Sequence, residues 1–244
     1  MPNLTRTLVF ASAIAASTLP VLAESRDFNL DAFDKIAASA GIEIDVIPGE
    51  RQNVRVEAKS DSDFKHLQMD VHNGTLRVST DYNLFDFIID GGLVGSIFND
   101  GPGLKVFITL PAFEQASVSS GASAEIHAFA SENFSASASS GADIILDEVG
   151  YENLILSASS GADIKASGTC TTIEGNVSSG ADINATDLEC TSARANASSG
   201  GDIVVFSSDA ISANASSGGD IRVKGNPEAR ELNTSSGGDI TIQR

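Results

Sequence analysis

The sequence predicts an all-β protein, a parallel β-helix with coils of about 19 residues preceded by a strand-rich N-terminal capping module. Three observations carry this. A six-residue motif, Ser-Ser-Gly-Ala-Asp-Ile at 139–144, returns at a nearly fixed period down the second half of the chain. The residues around it alternate between apolar and small polar types, which is the period of a strand. Ahead of the repeats lie paired strand-like runs joined by turn residues. The chain divides accordingly into a signal peptide (1–23), an N-terminal module (24–115) and a repeat region (116–244).

Residues 1–23 carry one basic residue, Arg6, then an apolar run from Leu8 to Ala16, then Val21-Leu22-Ala23. A short charged start, an apolar centre and a small-residue end make a secretory signal, with cleavage expected after Ala23. The run is too short and too rich in small residues for a membrane span. No Cys follows Ala23, so lipoprotein attachment is not expected. An exported protein of the periplasm, cell surface or extracellular space is expected, with no transmembrane segment after signal removal.

In 24–115, Ile42-Glu43-Ile44-Asp45-Val46 alternates up to the Pro48-Gly49 turn, and Val54-Arg55-Val56-Glu57-Ala58 answers it. Met69-Asp70-Val71 and Leu76-Arg77-Val78 flank His72-Asn73-Gly74-Thr75, where Asn-Gly signals a two-residue hairpin. Leu104 to Ile108 is the last run before Pro111. No 19-residue repeat is evident here, and the module is expected to cap the first coil. Within it, Leu84, Phe85, Phe87, Ile88, Leu93, Val94 and Phe98 lie in an apolar, Gly-interrupted stretch longer than an ordinary connection. That stretch is either a strand pair folded onto the core or an exposed loop that contacts a partner or a second copy.

Copies of the repeat start at Ser139, Ser159, Ser178, Ser198, Ser216 and Ser235, with a degenerate one at Ser119. Successive starts are 20, 20, 19, 20, 18 and 19 residues apart. Before each corner one face holds residues such as Phe134, Ala136 and Ala138, then Leu154, Leu156 and Ala158. The other face holds Ser137, Ser157, Asn176, Asn196, Asn214 and Asn233, read as a hydrogen-bonded ladder. After each corner Ile144, Ile164, Ile183, Ile203, Ile221 and Ile240 resume the apolar face. Such a repeat, at roughly 3.3 Å per residue, is too short for a helix and a strand, so stacked strand coils are the solution. The corner Gly supplies positive φ.

Asp143, Asp163, Asp182, Asp202, Asp220 and Asp239 form a row two residues after each Gly. Two readings stand. Each carboxylate accepts hydrogen bonds from N–H groups of its own corner, or the row, with a rung about every 4.8 Å, recruits Ca²⁺ through its oxygens. Cys170 and Cys190 are the only cysteines and lie one coil apart, which in an exported chain predicts an inter-coil disulfide.

The chain without residues 1–23 holds 14 basic against 33 acidic residues, a net −19, the wrong sign for a nucleic-acid binder. With no Trp and 2 Tyr, it lacks the aromatic platforms that favour sugar binding. His127 is the one His of the repeat half and reads as a surface or packing residue, leaving the many serines without a base. His66 and His72 have no metal-ligand spacing. Coil lengths near 19 leave little room for cleft-forming loops, so no catalytic site is expected and no cofactor is called for beyond the Ca²⁺ option.

Phe33 to Ile47, the Asn73-Gly74-Thr75-Leu76 hairpin, the Val106–Pro111 strand and the Ser-Gly-Ala-Asp repeats, in that order, resemble the head GIN domain family of autotransporter-type adhesins. The resemblance covers nearly the whole mature chain. It implies a right-handed parallel β-helix on an exported bacterial envelope protein, with no established activity and no functional residues to carry over. The expected function is therefore adhesin-like binding or scaffolding through the β-helix faces, without catalysis. The expected partner is an envelope or surface protein, or a second copy. The alternative is a Ca²⁺-dependent carbohydrate-binding or polysaccharide-lyase-like protein that uses the Asp row.

Overall fold

Period-two alternation in the sequence becomes alternation of burial. In a computed structural model, residues 24–81 and 103–243 are described, and they form 18 strands with one 3-10 turn over Asp63–Lys65, all strands joined in one hydrogen-bonded sheet. The fold is a parallel β-helix. Residues 1–23, expected to be a signal peptide, and the apolar stretch from Leu84 to Phe98 lie outside the described residues.

The regular part of the stack runs through β8 (Gln115–Ser119), β9 (Ser123–His127) and β10 (Ala130–Ser139) into three long strands. These are β11 (Asp143–Ser159), β12 (Asp163–Ser178) and β13 (Asp182–Ala197). They are followed by β14 (Asp202–Phe206), β15 (Ala210–Ser216), β16 (Asp220–Lys224), β17 (Ala229–Ser235) and β18 (Asp239–Gln243). Every pairing among these is parallel and follows the repeat: Ile144 lies against Ile164, Ile164 against Ile183, and so on to Ile240. The stretch expected as a variable closing segment is itself strand in β11 to β13, with a register shift near Asp147–Glu148. There the φ of Gly168 is +122°, and a Cβ on it would lie 2.0 Å from the Val149 carbonyl oxygen. Only Gly fits.

The inward residues form a continuous core of Ile, Leu, Val and Ala, nearly all below 5 % exposed. Burying that surface supplies the main driving force for the stack. Near the first coils the core turns aromatic. Phe113 meets Phe129 and Phe134 at centroid distances of 5.4 and 5.1 Å, and Phe134 stacks on Tyr151 at 4.9 Å.

Each corner uses two left-handed residues, not one. Ser140 (φ 56°) precedes Gly141 (φ 68°), and the same pair recurs at Ser160-Gly161, Ser179-Gly180, Ser199-Gly200, Ser217-Gly218 and Ser236-Gly237. The corner N–H groups point along the stack. Gly141 N–H donates to Ser160 O (3.2 Å) and Asp143 N–H to Ala122 O (3.1 Å), and this pattern repeats coil by coil. The expectation that the Asp carboxylates take their own corner's N–H groups is thereby corrected, because backbone carbonyls take them. Those of neighbouring coils serve the Gly and Asp N–H, and the corner's own serves the N–H between, as at Gly201 to Ser198 O (3.1 Å) and Gly219 to Ser216 O (3.0 Å).

The parallel ladder reaches further toward the N terminus than the repeat does. β2 (Lys35–Ala38) pairs with β8, and β3 (Glu43–Pro48) with β9, around a corner at Ala40-Gly41 with φ of 61° and 72°. On their other edges β2 pairs with β6 (Thr75–Thr80) and β3 with β7 (Leu104–Leu110). The coil that comes first in the chain thus sits second in the stack. Direction then reverses: β4 (Asn53–Ala58) runs antiparallel to β7, β1 (Glu24–Phe28) to β4, and β5 (Leu67–His72) to β6 through the Asn73-Gly74 turn. Antiparallel strands with charged outer residues, such as Arg55 paired to Asp27 at 2.9 Å, close this end. At the other end, among the described residues, no strand pairs with the outer edges of β17 and β18, and Leu232 is 41 % exposed.

Candidate functional site

The most regular surface of the molecule is built by the residues that alternate with the core before each corner. Ala158, Val177 and Ala197 point inward, so their neighbours Ser157, Asn176 and Asn196 face out. Strict parallel register stacks them in one row, Ser137, Ser157, Asn176, Asn196, Asn214 and Asn233. The Asn side chains then bond one another along the stack. Asn196 Nδ2 donates to Asn176 Oδ1 (2.9 Å), Asn214 to Asn196 (3.0 Å) and Asn233 to Asn214 (3.1 Å). In a separate row four residues earlier, Asn153 Nδ2 donates to Asn133 Oδ1 at 3.0 Å.

Two residues on, the first Ser of each corner makes a second outward row, Ser159, Ser178, Ser198 and Ser216. Small side chains in both rows leave a shallow groove of about 490 Å³ along the stack. Every side chain lining it is Ser, Asn, Ala or Val. In a chain of net charge −18 this groove is neutral. It offers hydroxyl and amide hydrogen-bond donors and acceptors, and no charged or imidazole side chain lines it.

The Asp row lies past the corner. Asp143, Asp163, Asp182, Asp202, Asp220 and Asp239 are in continuous register and face solvent, with Thr241 Oγ1 donating to Asp239 Oδ2 at 3.0 Å. They therefore stack on one another, yet they do not line the groove. Cys170 and Cys190, opposite each other in β12 and β13, form a disulfide with Cα atoms 4.5 Å apart. It closes one coil on the next at the third face of the stack. The candidate interface residues Leu84, Phe85, Phe87, Ile88, Leu93, Val94 and Phe98 are outside the described residues.

One association was missed by sequence reasoning. His127 is not isolated: Asp45, Glu125 and Asp147 surround its ring. The local signal was Glu125-Ile126-His127, two polar residues on one face of a strand, but Asp45 arrives from a strand about 80 residues earlier.

The fold and groove define a class: a β-solenoid with regular faces of stacked Ser and Asn side chains. Over residues 32–227 the chain matches the family described as putative auto-transporter adhesin, head GIN domain, and it belongs to that family. Solved structures with this fold include a putative adhesin from Bacteroides fragilis, at 19 % identity and a TM-score of 0.73, covering 91 % of this chain and 97 % of that one. A putative lipid binding protein from Parabacteroides distasonis follows at 19 % identity, TM-score 0.68 and the same coverage. A putative adhesin from Parabacteroides merdae matches at 12 % identity and TM-score 0.65, over 91 % and 96 % of the two chains. At such identities the likeness shows the fold. Comparison with curated proteins finds no match. Among the described residues no helix is long and apolar enough to cross a membrane.

Proposed function

We propose that this is a non-enzymatic, exported cell-envelope protein of the periplasm or cell surface that makes adhesin-like contacts through the Ser/Asn face of its β-helix. The observation that carries the reading is the neutral groove along the Asn ladder. Its lining lacks any side chain able to move a proton, which supports binding over catalysis. The ladder fixes the amides in one orientation before a partner arrives, and that pre-organisation lowers the entropic cost of binding. The groove's length along the stack suits an extended segment of a surface protein. Membership of an adhesin-described family supports the same reading. Nothing in the site or the comparisons supports a calcium-dependent carbohydrate-acting protein.

The test is binding of the purified chain to bacterial and host cell surfaces, with and without Ser157→Arg and Ser198→Arg. Two bulky cations in the groove should reduce binding at least tenfold. Because the lining is neutral, raising the salt from 50 to 500 mM should change wild-type binding less than threefold, on the order expected where no ion pairs form. Unimpaired binding by the doubly substituted chain would overturn the assignment.

A further inference from the structure

On the strands that follow the corner, outward positions of three successive coils converge. Asp45 on β3 stands beside Glu125 on β9, and His127, two residues along β9, stands beside Asp147 on β11. The intervening residues are anchored: Ile44, Val46 and Ile126 are fully buried, so the strands that carry the polar groups are held by the core. His127 Nε2 lies 3.9 Å from Asp45 Oδ1 and 3.9 Å from Glu125 Oε2, and the three atoms all fall within 4.8 Å of one another.

We propose that Asp45, Glu125 and His127 form a binding site for a divalent transition-metal ion of the zinc class, with Asp147 positioning the imidazole from its far side. Two ligand atoms at about 2.1 Å from such an ion, in tetrahedral geometry, stand about 3.4 Å apart. The observed spacings are therefore slightly open, and Glu125, on the surface, closes them by a side-chain rotation. A nitrogen ligand beside two carboxylates favours borderline ions over Ca²⁺ or Mg²⁺, which take oxygen.

The surroundings fit the role. Asp147 Oδ2 lies 3.7 Å from Nδ1, the ring nitrogen that the metal does not use. From ion-pair distance a carboxylate there favours a proton on Nδ1 and so leaves Nε2 free, the role outer carboxylates take for metal-bound histidines. Asp147 is itself held, because Ser167 Oγ donates to its other oxygen at 2.9 Å and Glu148 N–H donates to Ser167 Oγ at 3.0 Å. Lys105 Nζ sits 3.8 Å from Asp45 Oδ2, which leaves Oδ1 to face the imidazole. Three carboxylates and one ammonium give a local charge matched to a divalent cation. This site lies on a different wall from the Ser/Asn groove and does not depend on that groove's function.

The experiment is zinc titration of the tag-free, chelator-treated chain by calorimetry, with folding of each variant checked by thermal melting. One saturable site is expected, weakened at least tenfold by His127→Gln and by Asp45→Asn. Asp147→Asn should weaken it about tenfold, the effect usual for an outer carboxylate, while Asp163→Asn on the Asp row leaves it unchanged. On the wild-type chain, the Nε2 nitrogen resonance of His127 should shift with zinc while those of His66 and His72 stay in place. This second measurement decides the matter even where a variant fails to fold. No saturable binding, or a site indifferent to His127→Gln and Asp45→Asn, or a shift at another histidine, overturns the proposal.

Discussion

Tyr151 carries a hydroxyl into the aromatic part of the core, where it is 3 % exposed and finds no hydrogen-bond partner among the described residues. Burial pushes its pKa well above the usual tyrosine range, because the phenolate is poorly solvated there. A hydroxyl buried without a partner loses its hydration and gains nothing in return. Tyr151→Phe should therefore keep the stacking on Phe134 and raise stability by about 1 kcal/mol in denaturant titration. The sign with pH follows from the raised folded pKa. The unfolded chain gives up the phenolic proton from about pH 10 while the folded chain retains it, so stability falls as pH rises through that range. Tyr151→Phe should lose that part of the alkaline fall, and an unchanged pH profile would contradict the assignment. Ser207 is the contrasting buried hydroxyl, fully enclosed but with Ala210 O at 2.7 Å and Thr191 O at 3.1 Å as acceptors for its one proton. Neither environment is legible in the sequence. Tyr151 occupies an inward position of an ordinary alternating strand, and only the stack reveals which neighbours it lacks.

At the scale of the corner and its flanking strands, two kinds of glycine are separable. A Cβ on Gly161 would meet nothing within 4 Å, so Gly161→Ala pays only for the left-handed backbone, about 1 kcal/mol. Gly219 lies one residue beyond the turn, and its Cβ would stand 2.7 Å from the Ala197 carbonyl carbon and 2.8 Å from Ser198 N. Gly219→Ala should thus lower stability by roughly 3 kcal/mol, through coils forced apart, and equal effects of the two changes on thermal melting would refute this account. The same position holds buried Ala142, Ala162 and Ala181 in earlier coils, which accommodate a Cβ there. The shift from Gly-Ala-Asp to Gly-Gly-Asp in the last three copies is thus a readable record of tighter corners. The Cys170–Cys190 link closes a 20-residue segment and should contribute about 3 kcal/mol by restricting the unfolded chain. The double change to Ala tests it in denaturant. This pairing and the Asn ladder were legible because both follow from period alone. The left-handed Ser of each corner was not, since nothing in Ser itself prescribes positive φ; the ladder pulling Gly N–H toward the next coil does.

Over the whole molecule, local pattern gave way to long-range pairing. The repeat half could be laid out coil by coil from its spacing, but the order of the first coils could not. β2 and β3 enter between the coil of β6 and β7 and that of β8 and β9, and no residue in Ser39-Ala40-Gly41-Ile42-Glu43-Ile44 announces that insertion. In retrospect this segment is a degenerate copy of the corner motif, with Ala for the second Ser, Ile for Ala and Glu for Asp. The cluster at His127 depends on the same insertion, which is why it stays hidden in sequence. The Ser/Asn face, by contrast, needs only the parallel register of the repeats, so its composition was visible from the start. Its standing as a neutral groove on an acidic molecule appears only when the rows are stacked.

The measurement that tests this face most directly is site-specific photocrosslinking of the exported chain on intact cells, with the probe placed in turn at Ser178 in the groove and at Asp182 on the Asp row. The account predicts a discrete crosslinked partner from Ser178 and none from Asp182. Crosslinking from Asp182 with silence at Ser178 would contradict it and move the binding face past the corner to the carboxylate row.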